Sequence, residues 1–364
     1  MEKLENIIFD TVLMIKKKKD GGIDDHTALI CLGKSPSVKI CAVTTVGGNV
    51  DIDKSLLGIK TTMGLLNLTN VPLYLGATLP LVPDGFHKSP PKWFGHDGIG
   101  NISKNADFLR DYFESNLIKE NREDFASLAM IKIDPLFLSK VKEIYVMGGT
   151  LYSKGNSSKV AEFNFHYDPE SAQVLFSAAK KHHKKFKLNK PIINLVTWEV
   201  TVHHPVSLKL LKELKKTKTL EDSRKKIFNY FLKFIEISSP PTTTNEHKEN
   251  PKKNMGDEGE ENLVKIAVGS KVLTERITDL KYDQSFKAGD IILPDFTAIC
   301  CFLKKDVVLS YKDFDIEMEL EGRSRGGNSF GWNPWHQDMK FVRVFLELDS
   351  KKIDDIFTNT FFGE

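Results

Sequence analysis

Short β-branched, apolar runs alternate with longer stretches of helical periodicity through the first 214 residues, and this alternation restricts the fold more than any other feature. Asn6–Phe9, Val38–Val46, Val71–Leu75, Glu143–Met147 and Pro191–Val196 read as strands. Asp24–Leu32 (stopped by Gly33), Lys54–Leu66, Phe125–Ile133, Asp168–Lys181 and Val206–Leu214 read as helices. Strands separated by helices pair in parallel, because a crossover of that length carries the chain back across one face of the sheet. The expected fold is therefore α/β: a mostly parallel central sheet flanked by helices, in a Rossmann-like open arrangement. Nearer the C-terminus, Asp315–Leu320 and Lys340–Glu347 alternate as strands of an edge or antiparallel pair. The stretch 238–262 is Pro, Thr, Asn, Lys and Glu with almost no apolar residue, so it cannot bury enough surface to offset ordering. It reads as a disordered insertion within one domain spanning 1–364.

Composition narrows the partners. Lys and Arg number 52 against 49 Asp and Glu, a formal charge of +3, without the basic excess of a dedicated nucleic-acid or membrane-surface protein. No apolar run approaches the ~20 residues that cross a bilayer. The N-terminus is acidic where a secretory signal is basic, and Asp10 breaks the apolar stretch Ile7–Ile15, so no signal peptide is expected. Cys31, Cys41, Cys300 and Cys301 have neither a paired framework nor metal-ligand spacing. Reduced thiols in a cytoplasmic protein follow. Histidine pairs at 182–183 and 203–204 point to different faces of a helix and do not share an ion.

The chemistry gathers near the start. Asp10 closes a strand, and Asp20-Gly21-Gly22-Ile23-Asp24-Asp25 opens a helix. In an open α/β sheet, ligands bind beyond the carboxyl ends of the strands, where these carboxylates belong. Like charges that close repel unless a cation lies among them, and oxygen-only donors select a hard ion such as Ca²⁺ or Mg²⁺. As an isolated pair, Asp24-Asp25 would equally serve the helix dipole. Other blocks accompany the pair: Val46-Gly47-Gly48-Asn49, Trp93-Phe94-Gly95-His96-Asp97-Gly98-Ile99-Gly100, Val146-Met147-Gly148-Gly149, Gly155-Asn156, Ala161-Glu162-Phe163-Asn164, Asp168-Pro169-Glu170-Ser171-Ala172 and Leu293-Pro294-Asp295.

In these blocks the sequence resembles the inosine/uridine-preferring nucleoside hydrolase family, from about residue 6 to the C-terminus. The resemblance implies a Ca²⁺-dependent hydrolysis of ribonucleosides to ribose and free base, in nucleoside salvage, by a homodimer or homotetramer. It assigns Asp20, Asp25 and Asp295 to the metal, Asp20 to deprotonating the attacking water, and Asp10 to supporting the site from the strand end. Asp24, Asn49, Asn156, Glu162, Asn164 and Asp295 would grip the ribose hydroxyls, with Asp24 and Asn49 beside the reacting centre. Trp93, Phe94 and His96 would face the base. Three features depart from the family pattern. Val12–Lys19, with four adjacent lysines, separates Asp10-Thr11 from Asp20. The metal-binding turn and its strand are not recognisable within Asn116–Met130. Pro294 stands where many members carry a proton-donating His. These departures define the alternative expectation, a relative that binds nucleoside or ribose without turnover.

Overall fold

The structure is a computed structural model; it describes residues 4–11, 23–47, 52–77, 79–82, 120–121, 134, 136–216, 222–238, 291–333, 335 and 339–363. β1 (Glu5–Thr11) pairs in parallel with β2 (Val38–Thr45), β2 with β3 (Leu73–Leu75), and β3 with β4 (Glu120–Asn121). A second set of four runs β5 (Ile144–Met147), β6 (Ile193–Val196), β10 (Val342–Leu348) and β7 (Val308–Phe314), in which only β7 is antiparallel. β8 (Ile316–Met318) and β9 (Asn328–Phe330) form a separate antiparallel ribbon. The helices are α1 (Ile23–Lys34), α2 (Ile52–Leu65), α3 (Phe137–Lys140), α4 (Phe163–Tyr167), α5 (Pro169–Phe186), α6 (Trp198–His203), α7 (Leu208–Lys216), α8 (Asp222–Ser238), α9 (Pro294–Leu303) and α10 (Ser350–Phe362).

Burial explains the layering. All four residues of β6 are buried, as a strand covered on both faces must be. Ile193 and Leu195 pack with Phe176 of α5, while Val196 joins Phe296 of α9 and Phe357 of α10. A third apolar cluster joins β1 and β2 to α1 and α2 through Phe9, Val43, Leu29 and Met63. The two strand sets are tied together by α9, which packs against both α1 and β5, and by an ion pair from Lys142 to Glu5 at 3.4 Å. The result is one mostly parallel α/β domain, in which the end of β1 meets the first turn of α1 through Thr11 and Asp25, and the end of β5 meets α4 through Met147 and Asn164. Among the described residues no helix is long and apolar enough to cross a membrane.

Several expectations need correction. Gly33 does not stop α1, which runs to Lys34; a Cβ there would sit 2.7 Å from Leu66 Cδ1, so the glycine permits close approach of the two chain segments. α5 continues past Lys181 to Phe186 and ends at Lys187 in the left-handed conformation (φ 49°). The two late strand candidates do not pair with each other. β10 lies inside the sheet between β6 and β7, because its Val342, Val344, Phe345 and Leu348 are buried; β8 instead pairs with β9. β7, α8 and α10 had no sequence assignment. Within the unrecognised stretch Asn116–Met130, Glu120–Asn121 pair with β3, so a strand persists there over two residues. The helix assigned to Phe125–Ile133, the insertion at 12–19 and all but Ser238 of the stretch 238–262 lie outside the described residues; Ser238 ends α8.

Candidate active site

Asp24 and Asp25 occupy the first turn of α1, just beyond the carboxyl end of β1, where carboxylates favour the helix N-terminus. Asp295 occupies the first turn of α9 behind Pro294, whose missing N–H costs nothing at a first helical position. Packing of α1 against α9 brings the three carboxyl groups together: one oxygen from each lies within 4.8 Å of the others. Asp25 is buried and its Oδ1 accepts the Thr11 hydroxyl from the end of β1; the Thr44 hydroxyl donates to Asp10 Oδ1 in the next rung. Loss of water around Asp295, then the charges of Asp25 and Asp24, the hydrogen bond to Asp25 and the charge of Glu162, push its carboxyl well above the usual range. Three acidic groups this close are repulsive by themselves. A hard divalent cation removes the repulsion, and an all-oxygen donor set suits Ca²⁺ or Mg²⁺.

The second half of the site is built on the turn after β5. Gly149 has φ +68°, and a Cβ on it would lie 2.5 Å from Phe165 Cε2; the same ring lies across Gly148. Glu162 is buried and caps α4: its Oε1 accepts from Asn164 N at 2.9 Å, and its Oε2 from Gly149 N at 2.9 Å and Phe165 N at 3.3 Å. Asn164 Nδ2 donates to the Met147 carbonyl at 3.3 Å, while its Oδ1 is buried with no hydrogen-bond partner among the described residues. Such an atom costs about 1–3 kcal/mol unless something outside the protein donates to it. Asn156 Oδ1 accepts from Phe163 N at 2.8 Å, holding the Gly155-Asn156 turn against α4. Asp168 caps α5 through Ser171 N at 3.0 Å and also accepts from Leu81 N at 3.1 Å.

Among the residues expected from sequence, the structure brings Asp24, Asp25 and Asp295 into one cluster, close enough to Glu162 for its charge to act on Asp295. Asn156, Glu162 and Asn164 share the α4 N-terminus. Asp10 stands on the exposed side of β1, bonded to Thr44. Asp20, Asn49, Trp93, Phe94 and His96 lie outside the described residues. Sequence reading missed Thr11 and Thr44, which hold the carboxylates, and Glu199 and Asn328, which bind the turn after β5. For Thr11 the available signal was its place directly after Asp10. Glu199 and Asn328 come from remote elements and carry no local mark.

The sequence profile of the family described as inosine-uridine preferring nucleoside hydrolase matches residues 15–355. An inosine-uridine preferring nucleoside hydrolase of Leishmania major is 29% identical over 175 residues, covering 43% of this chain and 55% of that protein. Uridine nucleosidase 1 of Arabidopsis thaliana is 30% identical over 191 residues, covering 48% and 54%. The chain thus spans about half the length of the curated relatives it matches. Solved structures agree in fold over nearly the whole chain. An inosine-guanosine nucleoside hydrolase superposes with a TM-score of 0.67 at 19% identity, over 99% of both chains. An inosine-uridine preferring nucleoside hydrolase from Bacillus anthracis gives 0.64 at 14% identity, over 99% of this chain and 100% of that one. With the family profile spanning nearly all of the sequence and this fold beneath it, the chain belongs to the inosine-uridine preferring nucleoside hydrolase family.

Proposed function

We propose that this protein hydrolyses the N-glycosidic bond of ribonucleosides, releasing ribose and free base, with Ca²⁺ as its cofactor. The observation that carries this reading is the convergence of Asp24, Asp25 and Asp295 within 4.8 Å beside the Glu162–Asn164 block. The donors fit a hard cation: all are carboxylate oxygens, and mutual repulsion holds the Asp295 proton tightly without one. Asp20, Asp25 and Asp295 are the assigned ligands. When bound, the cation would orient water and make it more acidic.

The remaining chemistry belongs to the chain. Cleavage of a ribosidic bond passes through an oxocarbenium-like state, so positive charge grows on the sugar ring as the base departs. Fixed carboxylates around the ribose stabilise that charge at no cost of reorganisation. Asp24, Asn49, Asn156, Glu162, Asn164 and Asp295 would hold the hydroxyls; Asn164 Oδ1, buried and without a hydrogen-bond partner among the described residues, suits a donating sugar hydroxyl. Asp20 would take the proton of the attacking water. Hydroxide adds to the sugar carbon and the base carries away the bond's electron pair, so the base needs a proton. Pro294 cannot supply it, and His96 is the candidate donor, with Trp93 and Phe94 stacking on the base. Buried free thiols at Cys31, Cys300 and Cys301 support a reducing, cytoplasmic setting.

Ribose release from inosine and from uridine, measured with Ca²⁺ and with a chelator, tests the reading on this chain and on a version lacking Val12–Lys19. Activity that disappears with chelation supports it. Folded but silent protein in both forms favours the other reading, nucleoside binding without turnover.

A further inference from the structure

Four successive main-chain N–H groups in the turn after β5 are each taken by a buried side-chain oxygen from elsewhere in the chain. Gly149 N donates to Glu162 Oε2 at 2.9 Å, Thr150 N to Asn328 Oδ1 at 2.8 Å, Leu151 N to Glu199 Oε2 at 2.7 Å and Tyr152 N to Glu199 Oε1 at 2.9 Å. Asn328 returns a second bond from Nδ2 to the Thr150 carbonyl at 2.9 Å, and Trp198 N donates to the Gly149 carbonyl at 3.0 Å. Glu162, Asn328 and Glu199 are only 2%, 5% and 8% exposed. They come from the α4 cap, β9 and α6, so three remote elements converge on four residues of backbone.

The brace is costly. Burial raises the Glu199 carboxyl above its usual range in spite of the Tyr152 and Leu151 amides that favour its charge. An apolar residue there would leave the Leu151 and Tyr152 N–H groups without these acceptors, so the carboxylate holds that stretch of backbone in place. The braced turn begins at a residue that also binds Glu162. The Glu162 carboxylate takes one of its donors from Gly149, the first residue of the braced turn, and its charge reaches Asp295.

We propose that Glu199 and Asn328 are positioning residues for hydrolysis: by pinning Thr150–Tyr152 they fix the Gly149 N–H, which in turn fixes the Glu162 carboxylate beside the Asp24–Asp25–Asp295 cluster. This inference rests on the function proposed above. Neither residue touches substrate; both act through Glu162. A displacement of about 1 Å in a binding group can cost a hundredfold in rate, so loosening the brace is expected to cost ten- to about a hundredfold in kcat/KM.

The test is ribose release by the full chain at saturating Ca²⁺, in a double-mutant cycle. Glu199→Gln keeps the side chain's shape but sets an amide against one N–H. Asn328→Asp keeps the acceptor for Thr150 N and loses the donor to its carbonyl. Each is expected to lower kcat/KM by about tenfold or more, with Ca²⁺ affinity within about twofold of wild type. In the Glu162→Gln background, Glu199→Gln is expected to add almost nothing, because it has lost the group it acts through. Wild-type turnover in both single variants would overturn the proposal. So would losses that multiply in the double variant, or losses that track a fall in Tm and in Ca²⁺ affinity together. If wild type itself releases no ribose, the function reading falls and this inference with it; an active wild type with unaffected variants removes this inference alone.

Discussion

Asp295 concentrates the site's electrostatic tension in one side chain. Its neighbours Asp25, Asp24 and Glu162 all disfavour its charge, and burial adds to them. Asp295→Asn should therefore change Tm little in chelator, where the carboxyl keeps its proton and one neutral group replaces another. The same change should abolish the rise in Tm expected for wild type on adding Ca²⁺. Thermal scans with and without Ca²⁺ read both effects; at a hundred times its Kd, a ligand specific to the folded state contributes about 2.7 kcal/mol. Gly149 makes a different demand, because it is both left-handed (φ +68°) and pressed against Phe165. Gly149→Ala adds backbone strain and an overpacked contact, so a loss of about 2–4 kcal/mol is expected in urea unfolding. Sequence exposed Gly149 and Asp295 as motif members, but their tensions depend on neighbours that folding supplies.

Elements show where local pattern suffices and where it fails. The strands β1, β2, β5 and β6 and the helices α1, α2 and α5 stand where periodicity puts them, to within a few residues. Capping sharpens helix starts: Asp168 accepts from Ser171 N at α5, and Asp349 from Lys351 N at α10, which periodicity left unassigned. The junction of α6 with β10 depends instead on His204, whose Nδ1 meets Ser350 Oγ at 2.7 Å and whose Nε2 accepts from Leu348 N at 3.3 Å. Burial, helped by the nearby charge of His203, lowers this imidazole to about 4. The unfolded chain takes up its proton near pH 6.5 while the folded protein still refuses it, so stability present above that pH is lost as pH falls towards 4. His204→Gln should flatten that part of a Tm-against-pH curve relative to wild type. An unchanged slope would place the acid sensitivity elsewhere.

At the scale of the whole molecule, an aromatic core ties the C-terminus to the site-bearing helices. Phe357 of α10 packs edge-on against Phe296 of α9 at 5.7 Å and lies 5.3 Å from Phe231 of α8. Phe357→Ala should cost about 3–5 kcal/mol in chemical unfolding through lost burial and the cavity left behind. The sequence by itself determined the class of fold, most elements of its first two-thirds, and the identity of the carboxylates Asp24, Asp25 and Asp295, since side-chain periodicity and short motifs are local properties of the chain. It left open that β10 enters the sheet between β6 and β7, that Thr11 and Thr44 hold Asp25 and Asp10, and that Glu199 and Asn328 close on the turn at Gly149. Those arrangements arise between segments far apart along the chain, and only packing of apolar faces and satisfaction of buried N–H groups in three dimensions decided them.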